Sequence, residues 1–173
     1  MTKGPLILRD LDVLKQIPDL DVHMSIATLD AAVARQLEPG TPPPAARMEA
    51  VRRLNAAGIR TGVFMAPILP GLTDSEATLR AVAEAAADAG APYVVPVTLR
   101  LAPEVREWFL PFISRHFPQL TRQYCRFYQE TEAPVEYKRA TLGLAARLIH
   151  DLGLETKINS PKPQAPEQLR LSI

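Results

Sequence analysis

The chain has 173 residues, of which 47% are hydrophobic and 23% charged, a composition typical of one globular domain. Its 20 basic residues nearly balance 19 acidic ones, so charge does not indicate a dedicated nucleic-acid-binding protein, although it leaves nucleic acid open as a partner. No apolar run approaches the about 20 residues of a membrane span and no secretory leader follows Met1, so we expect a cytoplasmic protein without membrane partners.

Predicted helices and strands alternate through the first part of the chain. Apolar residues recur at helical spacing from Pro5 to Gln16, and they alternate with polar residues from Leu20 to Thr28. These patterns predict a helix followed by a strand. A short helix is predicted from Asp30 to Leu37, and a longer one from Ala45 to Ala57, where Gly58 can end it in the left-handed conformation.

The alternation continues through two more predicted strands. The first runs from Ile59 to Ala66, and we expect it to end before Pro67 because proline cannot donate to a strand ladder. Thr73 and Glu76 form a capping-box pattern at the start of an alanine-rich helix. Tyr93 to Leu99 is the last predicted strand.

The remainder of the chain is predicted to be helical. Glu104 to Phe117, Gln119 to Gln129 and Val135 to Leu152 each carry an apolar stripe at helical spacing. From Glu155 onward the sequence is polar and rich in proline, so we expect this tail to be extended or disordered.

Alternating strands and helices indicate an α/β fold with parallel strands joined by helical crossovers. Two or three such units do not close a barrel, and a sheet this narrow leaves strand edges and one face uncovered. Three sources of cover stay open at this point: preceding sequence of the same polypeptide, a partner chain, or the C-terminal helices folded back over the edge.

In α/β folds, ligands collect at the carboxyl ends of the strands. The residues to inspect are therefore Lys3, Ser25 to Asp30, Ala66 to Gly71 and Leu99 to Leu101. Several of them are small, which would let a flat ligand approach the backbone. Small residues can equally fill the tapering interior of a barrel, so both interpretations remain.

Four segments at these strand ends resemble the radical S-adenosylmethionine (SAM) superfamily, most closely the branch that includes spore photoproduct lyase and its uncharacterised bacterial relatives. The segments are Thr2 to Asp10, Ser25 to Asp30, Leu37 to Pro39 and Met65 to Asp74. The resemblance implies an incomplete TIM-type β/α barrel that begins at the end of its third strand. Residues 1–117 would form this C-terminal half-barrel, residues 118–154 a helical extension, and residues 155–173 the tail.

The resemblance also implies roles for residues of the strand ends. Lys3 and Ser25 stand where the family has a lysine and a serine that contact the methionine part of SAM, and an ammonium and a hydroxyl can both pair with a carboxylate. Ala66, Pro67 and Ile68 stand where the family has a wall against the adenine.

Three further residues complete the implied SAM site: Thr28, Glu38 and Leu99. Glu38 matches an acidic position after a strand, and the sequence leaves open whether it meets the ribose or only caps local structure. Leu99 borders the adenine or the substrate together with Arg100, although a charged residue there is more typical of a solvated strand end.

Radical SAM enzymes hold a [4Fe–4S] cluster through three cysteines in a Cys-x3-Cys-x2-Cys loop, and the cluster reductively cleaves SAM. This chain has one cysteine, so we predict no metal ligands here and no activity from the chain alone. We therefore expect the C-terminal portion of a radical SAM enzyme that contributes part of the SAM pocket and the substrate-side wall to a missing N-terminal half or a partner chain. Its substrate is unknown.

Two other functions stay open. One is a non-catalytic half-barrel that serves as a binding or interaction module, and the other is an unrelated barrel fragment whose strand ends bind a phosphate or a sugar.

The remaining reactive side chains favour structural roles. We expect Cys125 to be a packed or partly buried thiol rather than a metal ligand. The basic and aromatic residues from Arg122 to Tyr128 fit a packed helix face beside a solvated one better than a surface for stacking nucleobases. His23, His116 and His150 show no zinc-ligand spacing.

Overall fold

A parallel sheet of three strands organises the protein. The computed structural model describes residues 1–156, so the predicted tail lies outside the described residues from position 157 onward. The strands β1 (Val22–Ser25), β2 (Thr61–Ile68) and β3 (Val94–Thr98) pair in the order β1-β2-β3, with every pair parallel. This arrangement confirms the predicted α/β class with an open, partial barrel followed by helices.

Helices connect the strands and follow the last one. They are α1 (Leu11–Leu14), α2 (Ala31–Leu37), α3 (Pro44–Ala56), α4 (Glu76–Asp88), α5 (Pro103–His116), α6 (Thr121–Phe127) and α7 (Val135–Asp151), with 3-10 helices at Pro5–Asp10 and Pro118–Leu120. The predicted first helix is thus a 3-10 turn that continues into one α-helical turn. None of the helices within residues 1–156 is both long and apolar enough to cross a bilayer.

The main core lies between one face of the sheet and the helices α3, α4 and α7. Because side chains alternate between the two faces of a strand, one set of strand residues points to these helices and is fully buried. This set comprises Met24, Val63, Met65 and Val94. Helix α7 adds Ala145, Leu148 and Ile149 to the same core, so it packs as an integral layer of the half-barrel.

The other face of the sheet is only half-buried within the described part of the chain. His23, Phe64 and Val95 lie on it, since Ser25 pairs with Phe64 and Phe64 with Val95 across the parallel register. Near the amino ends of the strands, the ring of Tyr93 lies directly over Gly62. A glycine is required there because any side chain would occupy the position of the ring.

Short segments of the chain lie along both edges of the sheet. Thr2 pairs with β1 through hydrogen bonds from its amide to the His23 carbonyl (2.8 Å) and from the Ser25 amide to its own carbonyl (3.0 Å). At the other edge, the Val94 amide donates to the carbonyl of Glu155 (2.9 Å). The chain after α7 therefore reaches the edge of β3. The C-terminal helices were one possible cover for an edge in the sequence analysis, and here the segment that follows the last helix lies there.

Strand β2 ends later than its prolines suggested. It continues through Pro67 to Ile68, so the predicted end at Ala66 is wrong. The register shifts between Met65 and Ile68, and pairing resumes where Ile68 meets Thr98. Proline is accommodated because the ladder is interrupted where its missing amide would have donated.

The cap of α4 also differs from the prediction. Ser75, not Thr73, is the N-cap residue, and its hydroxyl accepts a hydrogen bond from the Thr78 amide at 3.2 Å. The buried Thr73 hydroxyl instead accepts from the Leu69 amide at 2.8 Å. Thr73 thus holds the turn that follows β2, at the end of the strand where a site is expected.

The helices after β3 build a second apolar cluster against the ends of β2 and β3. Leu69, Leu99 and Leu101 supply the strand side, and Ile113 of α5 packs against them. The predicted helical extension therefore shares a core with the half-barrel. The proposed domain boundary at residue 117 stays a prediction.

Helix α6 has one buried and one solvated face, as the sequence indicated. Tyr124 and Tyr128 are buried, whereas Arg122 and Arg126 are exposed. Cys125 is also exposed, so the prediction of a packed thiol is wrong. Consecutive helical residues point about 100° apart, which turns Cys125 away from the face that Tyr124 buries.

The stacking of Tyr93 on Gly62 predicts a steric penalty. A β-carbon at Gly62 would lie 2.0 Å from the Tyr93 ring. We expect Gly62→Ala to lower the free energy of unfolding by about 1 to 3 kcal/mol, as overpacking does in cores. The measurement is a urea unfolding curve followed by circular dichroism.

Gly143 provides the matched control, because no atom lies within 4 Å of the position a β-carbon would take. Gly143→Ala in the middle of α7 should raise stability by about 0.5 to 1 kcal/mol through helix propensity. An unchanged midpoint for Gly62→Ala would show that the ring does not occupy this position.

Candidate functional site

A cavity of about 200 Å³ lies at the carboxyl ends of the three strands. Five residues predicted from the sequence line it: Lys3, Thr28, Glu38, Pro67 and Leu99. Pockets for drug-sized ligands usually measure about 300 to 1,000 Å³, so this cavity suits one part of such a ligand. Because the parallel strands all finish at the same end of the sheet, these five residues become neighbours although they are far apart in sequence.

One end of the cavity is charged. The Glu38 carboxylate lies between two cations, with Lys3 Nζ 2.5 Å from Oε1 and Arg47 Nη1 2.7 Å from Oε2. Burial by itself raises the pKa of the Glu38 carboxyl, but hydrogen bonds from Lys3 and Arg47, together with their charges, outweigh burial and hold this pKa below its ordinary value. Glu38 is therefore ionised at neutral pH.

Arg47 holds the charged end together from the first turn of α3. Its side chain is 3% exposed, and its guanidinium donates to the Pro42 carbonyl (2.8 Å), the Ser25 carbonyl (3.1 Å) and the Thr41 hydroxyl (2.5 Å) besides Glu38. One side chain thus links the end of β1, the proline-rich loop and the carboxylate.

Arg47 was missed by the sequence analysis, although the sequence does contain a signal for it. It lies four residues before Val51 and seven before Leu54, both fully buried, which places it on the buried face of α3. A charged residue on such a face must find partners, because an unpaired buried charge is costly.

Ser25 and Ala66 lie beside the cavity rather than in its lining. The Ser25 hydroxyl donates to the Ala66 carbonyl at 3.0 Å, which ties the end of β1 to the end of β2. Ser25 and Lys3 are also near each other, since the residue before Lys3 pairs with the Ser25 amide. Lys3, Ser25 and Ala66 therefore lie at one end of the sheet, and their roles in a ligand site stay a prediction.

The remaining residues that line the cavity are mostly apolar. They include Pro67, Leu69 and Leu99 from the strand ends and Phe109 from α5. Ile68 does not line the cavity, because it is fully buried in the main core with Met65. Of the predicted Ala-Pro-Ile wall, only the proline lines the cavity.

Phe109 had no signal at a strand end in the sequence. It comes from a helix that folds back over the strands, and only the tertiary packing of α5 brings it to the site. Arg100 lies outside the cavity with its side chain 68% exposed, and its Nε is 3.3 Å from Glu132 Oε1. It is a solvated strand-end residue, in agreement with the sequence interpretation.

The opposite end of the sheet carries a structural contact. The Tyr93 hydroxyl lies 2.7 Å from His23 Nδ1, and the Arg60 guanidinium stacks on the Tyr93 ring at 4.7 Å. Burial, followed by the charge of the chain's amino terminus, lowers the pKa of His23, and burial raises the pKa of Tyr93 to about 12. These contacts tie together side chains near the amino ends of β1, β2 and β3.

Metal-binding chemistry is not built into the described residues. Within residues 1–156 no three histidine, cysteine, aspartate or glutamate side chains are grouped so that they could hold a metal ion. Cys125 lies exposed on α6 and does not line the cavity. The residues present therefore do not fit an iron–sulfur cluster, which needs three thiolates.

Comparison with known proteins finds a matching family model and several similar proteins. The family model described as "Radical SAM superfamily" matches residues 1–82. An uncharacterized protein of Mycobacterium tuberculosis is 37% identical over 133 residues, which cover 75% of this chain and 39% of that protein. An uncharacterized protein of Methanocaldococcus jannaschii is 33% identical over 76 residues, covering 44% of this chain and 29% of that protein. The chain thus spans well under half the length of the curated relatives it matches.

A solved structure shares the fold. A domain of pyruvate-formate lyase-activating enzyme from Bacteroides vulgatus superposes with a TM-score of 0.56 at 14% sequence identity, covering 88% of this chain and 74% of that one. At this identity the likeness speaks for the fold alone. The superposition includes most of the residues after position 82, which the family model does not match.

The partly buried Glu38 carboxylate predicts a stability that depends on pH. Because its folded pKa lies below the ordinary 4.5, folding favours the ionised form, so its contribution is present above that pH and is lost as pH falls through the lower folded pKa. We expect Glu38→Gln to lower the free energy of unfolding at pH 7 by about 1 to 3 kcal/mol. The difference from the unsubstituted protein should shrink progressively below pH 4.5.

Urea unfolding at a series of pH values measures this difference. Glu49→Gln is the control, because Glu49 forms an exposed pair with Arg52 on the surface of α3 and should change stability little at any pH. A Glu38→Gln difference that stays constant down to pH 2 would contradict the ion-pair assignment.

Proposed function

We propose, from the premise that residues 1–82 belong to a radical SAM superfamily domain, that the chain supplies part of the SAM pocket and the substrate-side wall of a radical SAM enzyme. The observation that supports this proposal most directly is the cavity at the carboxyl ends of the parallel strands, whose lining combines the cation Lys3 with the apolar Pro67 and Leu99. Such a mixed lining suits a ligand that carries both a carboxylate and a flat heterocycle.

The lining residues suit the carboxylate and the adenine of SAM, and the remainder of the ligand would extend beyond this cavity. The Lys3 ammonium can pair with the methionine carboxylate, which is a strong, charge-assisted contact. Pro67, Leu99 and Phe109 offer apolar surface to the adenine, and Ser25 fixes the spacing of the strand ends through its bond to Ala66. When bound, SAM would supply the reactive adenosyl group. The residues of this chain bind and orient it and exclude water from one side.

The rest of such an enzyme must lie elsewhere, since its three cluster cysteines are not in this chain. We place the missing half of the barrel at the β1 edge, beside Thr2. Leu6, Val13 and Ile17, in the segment between Thr2 and β1, are exposed at 67%, 55% and 46% respectively and would offer apolar contacts to a neighbouring helix. The complementary half belongs to a longer polypeptide or to a partner chain.

Within the superfamily, we propose the branch that includes spore photoproduct lyase. The support is the order of the strand-end segments in the sequence, from Thr2-Lys3 through Ser25 to Ala66-Pro67. The substrate is not identified by any residue of the cavity.

A second candidate is a half-barrel that binds SAM or a partner without redox chemistry. Its supporting observation is the single cysteine, exposed on α6 and outside the cavity. The two candidates differ in whether a cysteine-bearing half completes the site.

Removal of the Lys3 charge should weaken SAM binding. We expect Lys3→Met to lower the affinity of the chain for SAM about tenfold, because one charge-assisted contact to the carboxylate is lost. Isothermal titration calorimetry measures it, with Lys15→Met as the control because Lys15 is exposed and lies outside the cavity. An unchanged affinity removes Lys3 from the site, and absence of binding by the unsubstituted chain contradicts the pocket.

Anaerobic reconstitution with iron and sulfide should leave the isolated chain without a stoichiometric cluster. One thiolate cannot replace the three that a [4Fe–4S] site requires. Iron content and visible absorption should match those of the Cys125→Ser variant treated in the same way. A brown protein with four irons per chain would refute the assignment of the ligands to the missing half.

A further inference from the structure

Three charged side chains share the polar end of the cavity, and their arrangement goes beyond what a contact from Lys3 alone requires. Glu38 accepts from Lys3 with one carboxylate oxygen and from Arg47 with the other. Two cations and one anion leave this cluster with a net charge of one positive unit. The two cations differ sharply in freedom, because the Arg47 side chain is 3% exposed and the Lys3 side chain 43%.

Building on the SAM pocket proposed above, we propose that Glu38 is a placeholder for the ligand carboxylate and that Arg47 is the positioning residue that retains Glu38 when the ligand arrives. The ligand carboxylate takes the place of Glu38 on the Lys3 ammonium. The exchange is non-covalent, and the released oxygen of Glu38 turns towards solvent or a polar group of the ligand. The cluster thereby selects ligands that carry a carboxylate.

Arg47 is suited to this role because its side chain is held in place and cannot move when Lys3 moves. Its guanidinium is fixed by the carbonyls of Ser25 and Pro42 and by the Thr41 hydroxyl, in addition to Glu38. These contacts use the planar fork of arginine, which lysine cannot reproduce. Lys3 has a flexible stem at the mouth of the cavity, so its ammonium can move between two acceptors.

The charges explain why all three residues are needed. Without Glu38, the two cations would repel each other across a partly buried site. Without Arg47, Glu38 would pair with Lys3 alone. This pair has no net charge and would not attract an anionic ligand. With Arg47 present, Glu38 is neutralised from the buried side, and Lys3 remains available to an incoming carboxylate.

The test uses two ligands that differ only in the carboxylate: SAM, and decarboxylated SAM, which keeps the sulfonium and the ammonium. Calorimetry on the full chain gives the ratio of their dissociation constants, which measures the preference for a carboxylate. We expect Arg47→Met to lower this preference about tenfold and Glu38→Gln to raise it about fivefold, because the two substitutions change the cluster charge in opposite directions. The double variant should return close to the original preference.

Controls separate positioning from folding. Arg52→Met and Glu49→Gln remove the members of an exposed pair on the same helix and should leave the preference unchanged. Arg47→Lys keeps the charge but loses the fork, so it should recover only part of the preference. Thermal unfolding of each variant shows whether it is folded, and Glu38→Gln tests the proposal by itself if Arg47→Met does not fold.

The outcomes distinguish the two proposals. If both ligands bind but Glu38→Gln leaves or lowers the preference, Glu38 is no placeholder and the inference is overturned while the SAM pocket stands. If neither ligand binds the unsubstituted chain, the SAM pocket fails and the inference fails with it. Opposite shifts in the two single variants and their cancellation in the double variant would support the exchange.

Discussion

Parallel pairing of three short strands is the constraint on which the rest of the protein depends. The parallel register sets Val22 beside Thr61 and Val63 beside Val94, so the carboxyl ends of all three strands lie at one end of the sheet. Lys3, Glu38 and Pro67 come from three different segments of the chain, and they become neighbours at this common end of the sheet. The fully buried face of the same strands holds α3, α4 and α7 in place, so core packing and site geometry have one origin.

The buried Arg47 couples the helical layer to the strand ends. A guanidinium at this depth is tolerated because four oxygen acceptors satisfy it, from Ser25, Glu38, Thr41 and Pro42. The loop between α2 and α3 is thereby tied to the end of β1. The charged contacts of Arg47 therefore hold the backbone around the strand end in place at least as much as they attract a ligand.

Much of the fold follows from periodicity in the sequence, whereas the site was predicted only in part. Alternation and helical spacing placed every strand correctly to within a few residues, because burial of one face dominates these segments. Lys3 and Glu38 were found through the resemblance of their segments to the radical SAM superfamily. Arg47 and Phe109 were not, since both come from helices whose packing on the strand ends is not encoded locally. The prediction that Cys125 is packed or partly buried was wrong. A shift of one position along a helix moves a side chain from the buried face to the solvated face, and the sequence pattern does not fix the faces of this helix to that precision.

The two edges of the sheet differ in a way that bears on self-association. The edge of β3 is occupied at Glu155 and contains Pro96, which has no amide hydrogen to share, whereas within residues 1–156 the edge of β1 is lined by the few residues around Thr2. A fibril built by strand addition needs two adhesive edges on every subunit. A molecule with one such edge can join a single neighbour and then stops, so its growth is self-limiting by construction.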